Sequence, residues 1–401
     1  MSSAVTGSSE HIPPVAIASQ RDYRLDFFRG LALFFIFVDH VPDNPLAYFT
    51  LRAFSLADAA EVFIFISGYT AALVYGQKML RDGALLATAL IWRRAWQLYV
   101  AHLCLFMLYS AQVAYTAQRF NNPLFSDELG IADFLSHPDE TLIRVLLLEF
   151  QPAFLDILPL YIFLLLIFPA FMLAMHRHML LALLPSLALY LLIQATGINM
   201  PGNTDSDGWY FNPFAWQFLF VIGACLGYAR ARGQRMPREG WLARGLLITA
   251  ALTAAAALII QLSWTLHHLN PRIPALLYQT LWPVDKSTLA PLRILSILAL
   301  AVLVARLIPR DAAFMTSRIG WTVILCGQNS LNVFCLSILL SLLGNILLTF
   351  AGRAWWIVVA INLGGILIMV GLGLLTAWYG ANGRLPPRPG ATMGARASAA
   401  R

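Results

Sequence analysis

Apolar runs long enough to cross a bilayer follow one another along almost the whole chain, beginning near Leu25, Ala60, Ala87, Leu155, Met179, Phe214, Leu246, Leu292, Thr322 and Trp355. A helical span needs about 20 such residues, and the intervening segments are rich in Pro, Gly, Asn or charge, which end helices. The pattern predicts an all-α polytopic membrane protein with about ten transmembrane helices. The stretch from Thr141 to Phe150 is apolar but too short to cross, which predicts an interfacial helix leading to the fourth span. Residues 1–20 are Ser- and Pro-rich and lack the apolar core of a cleaved signal. A disordered segment is expected there, one transmembrane domain over 21–380, and a disordered tail over 381–401, where Pro386, Pro387 and Pro389 stand among Gly and Ala.

Composition sharpens this reading. Of 401 residues, 59% are hydrophobic and 12% charged, against roughly 25% charged in a soluble domain. The net charge of +7 follows topology and calls for no nucleic-acid partner. With the N-terminus inside, twenty of the 27 Lys and Arg fall on inside segments. The longest outside segment, 116–142, instead carries Asp127, Glu128, Asp133, Asp139 and Glu140. Positive-inside behaviour then puts both termini in the cytoplasm. Tyr48, Phe49, Trp209, Tyr210, Trp264, Trp282, Trp355 and Trp356 fall near external ends, where aromatic rings favour the headgroup region. Cys104, Cys225, Cys326 and Cys335 lie in apolar runs without pairing or ligand spacing, so neither a disulfide nor a metal is expected.

Ionisable side chains inside spans cost several kcal/mol, and each one invites a functional question. The first span, RLDFFRGLALFFIFVDH, holds Asp26, Arg29, Asp39 and His40. Arg29 and His40 are eleven residues apart, which puts them on nearly one helical face about 16 Å apart along the axis. Asp39 points about 100° away from His40 and is a poor partner for it. His40 reads either as a polar residue wetted at the external helix end before Pro42 or as a functional imidazole. The second reading gains from SLADAAEVFIFISGY, where Asp58 and Glu61 stand three apart at the level expected for His40 and can orient its tautomer. Asp58 reads equally as a helix cap, and Glu61 lies one turn deeper. In IWRRAWQLYVAH, Arg93 and Arg94 mark the inside boundary or, with Arg29, bind phosphates. His102, deeper in that helix, reads as a core histidine.

RLDFFRGLALFFIFVDH followed by DAAEVFIFISGY resembles the OpgC family of membrane proteins, as do GWYFNPFAWQFLFVIGACLG from Gly208, DKSTLAPLRILSILALA from Asp285 and CGQNSLNVFCLSILLSLLG from Cys326. The resemblance implies succinylation of osmoregulated periplasmic glucans in a bacterial inner membrane, within the wider acyltransferase-3 type. It implies that His40 is the catalytic histidine and that Arg29, with Arg93 or Arg94, handles an acyl-CoA. Two positions depart from the wider pattern: Trp96, Gln97 and Tyr99 occupy the region where a further Arg and a Pro are usual, and Asn329 stands where a His is expected.

The reaction expected is transfer of succinyl or acetyl from cytoplasmic acyl-CoA to a hydroxyl of a periplasmic glycan, with the arginines at the donor side and His40 at the acceptor side. A path through an acyl-His40 intermediate fits the same residues. Trp209, Phe211, Asn212 and Trp216, with Asp285 and Lys286, are candidates for sugar contact, and Lys286 also for stabilising an oxyanion. They read equally as interface anchors. The rival class is a transporter or channel for glycan or lipid. Transporters often show two similar halves, and neither the Arg29–His40 spacing nor FISGY recurs.

Overall fold

The computed structural model describes residues 21–386 and 388, except 121–126, 128, 203–207, 235–238 and 270–283. The segments expected to be disordered at 1–20 and from 387 onward, except 388, lie outside the described residues, as do Trp282 and Glu128. Helix is the only regular structure among the described residues, which form no strand. In chain order the α-helices are α1 (Tyr23–His40), α2 (Ala59–Asp82), α3 (Ala84–Arg119), α4 (Ala132–Ser136), α5 (Pro138–Leu146), α6 (Ile157–Arg177), α7 (Met179–Thr196) and α8 (Pro213–Ala231). They continue as α9 (Trp241–Leu269), α10 (Pro291–Leu307), α11 (Ala313–Thr316), α12 (Arg318–Gln328), α13 (Ser330–Ala351) and α14 (Trp355–Gly380).

Eight of these, α2, α3, α6, α7, α8, α9, α13 and α14, are long and apolar enough to span a membrane. The other two of the ten expected runs, α1 and α10, fall short of that measure of length and apolarity for physical reasons. α1 carries Arg24, Asp26, Arg29 and Asp39 within 18 residues, and α10 is 17 residues long. The run beginning near Thr322 is broken at Asn329 (φ −104°, ψ 34°), where α12 gives way to α13. α3, at 36 residues, is about 54 Å long and exceeds the roughly 30 Å hydrocarbon core. The short helix expected near Thr141 is α5, which buries Thr141 and Val145 on one side.

Lipid supplies little hydrophobic force between spans, so close backbone packing must hold them together. α2 and α8 run parallel with their backbones in near contact: Gly68 lies against Phe220, Gly223 against Phe65, and Gly227 against Tyr69. A Cβ on Gly227 would drive into the Tyr69 carbonyl. α1 is sheathed by α2, α12, α13 and α14. Its polar residues therefore face protein, with Asp26 buried where α12 crosses. That enclosure lets so charged a helix lie at the centre of an apolar bundle.

Candidate functional site

A cavity of about 390 Å³ opens at the Arg29 end of α1. Arg21, Arg29, Arg94, Arg230 and Arg310 line it, against two carboxylates, Asp22 and Asp26. The aspartates are already taken. Asp26 accepts a two-point contact from Arg21, at 2.7 and 3.0 Å, and Asp22 pairs with Arg24 at 2.7 Å and Arg310 at 3.1 Å. Arg29, Arg94 and Arg230 have no carboxylate partner among the described residues. Arg29 donates from Nη2 to Thr70 Oγ1 at 2.6 Å, while its buried Nε has no acceptor. A guanidinium held only by the neutral oxygens of Thr70 and Ile66 among the described residues, with its Nε–H unspent, is suited to an anionic ligand. Of the adjacent pair proposed from sequence, Arg94 lines the cavity, whereas Arg93 is exposed and does not. Arg230 and Arg310 escaped the sequence reading because each stands in an inside segment where arginine is expected anyway.

At the other end of α1 the His40 ring packs on Phe154, with centroids 4.4 Å apart. Its Nδ1 is buried and accepts and donates nothing. Phe154 adopts φ +71°, a conformation that costs a bulky side chain roughly 1–2 kcal/mol. The turn that imposes it is tied down by Ala153 N–H donating to Leu129 O and Leu155 N–H to Pro152 O. Asp39 turns away as its spacing required, accepting from Thr50 Oγ1 at 2.8 Å and pairing with Arg52 at 3.2 Å.

The two carboxylates proposed to orient His40 are committed elsewhere. Asp58 and Glu61 form a capping box at the start of α2, with Asp58 N–H donating to Glu61 Oε2 at 2.8 Å. Arg293 donates from Nε to Glu61 Oε1 at 2.6 Å and lies 3.2 Å from Asp58, and Lys286 Nζ sits 2.7 Å from Asp58. These contacts make a closed cluster of two acids and two bases, with Glu61 fully buried. Burial works against the Asp58 charge, but Lys286 and Arg293 outweigh it and hold the carboxyl below the usual carboxylate range. Burial likewise opposes the Lys286 ammonium, and Asp58 and Glu61 together raise it. Sequence reasoning missed Arg293. The available signal was an arginine within the apolar run LAPLRILSILALA, which hydrocarbon tolerates only when paired.

A second cavity, of about 370 Å³, lies at this His40 end. Glu149, Gln151, Asp156, Asn199, Trp209 and Tyr210 line it, with Pro152 and Ala153 of the Phe154 turn. Asp156 has no ion pair among the described residues, and burial pushes its carboxyl up to about 6, with Lys286 and backbone N–H groups opposing. His40 lines neither cavity: Phe154 packs on its ring beside the second, and Phe63 and Tyr161, which line the first, pack edge to face with centroids 6.2 Å apart.

The sugar-contact candidates divide. Trp209 lines the second cavity, although it is only 3% exposed and therefore no headgroup anchor. Asn212 and Trp216 are corrected to structural roles: both are buried, with Asn212 capping α8 through Phe214 N–H and Trp216 Nε1 donating to the carbonyls of Lys286 and Ser287. These contacts pin the loop that delivers Lys286 to Asp58. Phe211 is buried beneath that ammonium, 5.5 Å from it. Asp285 caps its own turn through Ser287 and Thr288 N–H. His102 is wholly buried with neither ring nitrogen bonded, and Asn329 donates to Leu325 O at the helix break.

Fold and site together define a multi-pass helical membrane protein with a half-buried imidazole on the helix that joins a basic cavity and an acidic one. The sequence matches the OpgC protein family over residues 21–381, and the chain belongs to that family. Membership and fold together point to a membrane enzyme that modifies glucans, of the acyltransferase kind. Neither a curated protein nor a solved structure matched the chain.

Proposed function

We propose that this protein transfers an acyl group, succinyl foremost and acetyl next, from cytoplasmic acyl-CoA to a hydroxyl of a periplasmic glucan across a bacterial inner membrane. The observation that carries the reading is the pair of cavities of opposite charge at the two ends of α1, with His40 and Arg29 on that one helix. The basic cavity suits the phosphates of CoA, with Arg29, Arg94 and Arg230 supplying guanidinium groups that no carboxylate occupies. For the pantetheine arm to reach His40 from this cavity, the edge-to-face pair Phe63 and Tyr161 at its lining has to part.

In the transfer step the imidazole takes the proton of the acceptor hydroxyl as its oxygen attacks the thioester carbonyl. The C–S bond breaks, the ester C–O bond forms, and the proton returns from the imidazolium to the CoA thiolate. Lys286 is too firmly held by Asp58 to follow the oxyanion, and it acts by fixing the α2 cap below His40. An acyl-CoA transfer assay on purified protein with a neutral glucan tests this. Transfer is expected to vanish in His40→Ala and persist in Arg93→Ala; transfer unchanged in His40→Ala removes the imidazole from the mechanism.

A further inference from the structure

We infer that the cavity at the His40 end is a binding site for an uncharged stretch of glucan, and that Glu149 and Asp156 make it reject stretches already carrying an anionic half-ester. This rests on the transferase reading for the identity of the saccharide, but its charge argument is independent of the chemistry.

Among the described residues the lining contains two carboxylates and no Lys or Arg. Asp156 has no cationic partner within ion-pair distance among the described residues. Glu149 has one at the limit, Arg144 Nε at 3.9 Å, and that guanidinium also donates to the Gly202 carbonyl. Lys286, whose charge acts on Asp156 at a distance, is held by Asp58, and Arg293 by Asp58 and Glu61. Unspent carboxylates are good acceptors for sugar hydroxyls, which have protons to give and no charge to resist. Two features complete a saccharide site. Tyr210 presents an exposed ring beside the acids, and Trp209, 3% exposed, keeps an indole N–H with no acceptor among the described residues. An aromatic face with polar groups at its edge is what a sugar ring needs.

A half-ester of a dicarboxylic acid adds a negative charge to the glucan. Placed in this cavity it meets two like charges in a partly dehydrated space, where such juxtaposition is costly. The discrimination therefore comes from repulsion, and it releases a product segment while leaving unmodified segments free to bind. Acyl groups would then be spread along the polymer.

The test measures binding of three probes to the full-length protein in zwitterionic nanodiscs: a neutral glucose oligomer, the same oligomer chemically acetylated, and the same oligomer chemically succinylated. The acetylated probe controls for ester bulk. The neutral and acetylated probes are expected to bind within about 3-fold of each other, and the succinylated one at least about 10-fold more weakly, the ratio that about 1.4 kcal/mol of repulsion produces. In Glu149→Gln/Asp156→Asn the gap should close to about 3-fold or less, and the single variants should each close part of it if the pair does not fold. A succinylated probe that binds wild type as well as the neutral one, or a 10-fold gap that survives the double variant, overturns the inference. Acyl transfer measured on the same preparations separates the two claims: discrimination without transfer sinks the transferase reading alone, and transfer without discrimination sinks this one.

Discussion

The two cavities flanking α1 are nearly equal in size and opposite in charge. Among the described residues, five arginines line the space at the Arg29 end against two aspartates that already have partners; at the His40 end two carboxylates line it and no Lys or Arg does. Between them, near His40, sits the closed cluster of Asp58, Glu61, Lys286 and Arg293, in which every charge is matched. The difference teaches that burying charge is not by itself the signature of a site. The cluster spends its charge on the fold, while each cavity keeps a surplus of one sign, and only a surplus can select a ligand. On the proposed reading the contrast puts a polyanionic donor on one side and a neutral acceptor on the other, with His40 on the helix that joins them.

The most severe way to break this arrangement is to remove the imidazole. His40→Ala is expected to lower acyl transfer by about 10²–10⁴-fold while leaving binding at both ends within a few-fold, read by transfer rate and by separate donor and glucan titrations. Next in size is the matched cluster. Asp58→Asn leaves Lys286 without its main partner and weakens the α2 cap. The loss expected for breaking such a buried network is about 3–5 kcal/mol, measured as a lowered midpoint of thermal unfolding in detergent. The sign follows from linkage: Asp58 lies below its ordinary value in the fold, so its contribution is fully present above the unfolded value and disappears only in strong acid. At neutral pH the substitution therefore shows its whole effect. Activity lost in proportion to folded protein would place Asp58 in the scaffold; activity lost from fully folded protein would return it to the chemistry.

Much of this was legible in the sequence, and what was hidden had physical reasons. The all-helical membrane architecture follows from apolar runs of bilayer length, because length and hydropathy are local properties. The face shared by Arg29 and His40 is equally local, fixed by helical periodicity within one segment. What the sequence concealed were pairings over long separations. Glu61 looked free to serve His40, and only the fold brings Arg293 to it from 232 positions away. Asp156 and Glu149 attracted no notice because they stand beside a short interfacial helix, where acids at loop ends are ordinary. Trp216 and Asn212 carry the right chemistry for sugar, but their polar atoms are used up inside the protein. Asn329 breaks a run that hydropathy alone reads as continuous.

A smaller effect sharpens the basic side of the comparison. Arg29→Gln removes a charge that has only neutral partners among the described residues, and a charge-assisted contact is worth about 1.5–3 kcal/mol. An increase of about 10-fold or more in the KM for acyl-CoA is expected, with kcat changed less. Arg94→Ala should move KM in the same direction by a smaller factor, since among the described residues its guanidinium is tethered only to Gln97, at 3.2 Å. Arg93→Ala, one residue away but off the cavity, should leave KM unchanged. Equal effects of Arg93→Ala and Arg94→Ala would mean that the pair acts as a diffuse boundary charge and that the cavity does not define the donor site.

The smallest expected effect tests the acidic side through stability. Asp156 has the opposite history to Asp58: burial pushes its carboxyl up to about 6 without an ion pair to repay the cost. A carboxyl raised in the fold binds its proton more readily there than in the unfolded chain, so its charged form weakens the fold above about pH 6, and that penalty is relieved as pH falls toward the unfolded value near 4. Asp156→Asn removes the penalty. Its unfolding midpoint should rise above wild type by about 1–2 °C at pH 7.5 and converge with it near pH 4. A group retained at a cost to stability is expected where it serves a ligand, and the same substitution should weaken glucan binding while strengthening the fold. If Asp156→Asn instead lowers the midpoint at pH 7.5, the carboxylate has a structural partner, the outer cavity loses its surplus charge, and the contrast between the two ends of α1 reduces to the arginines alone.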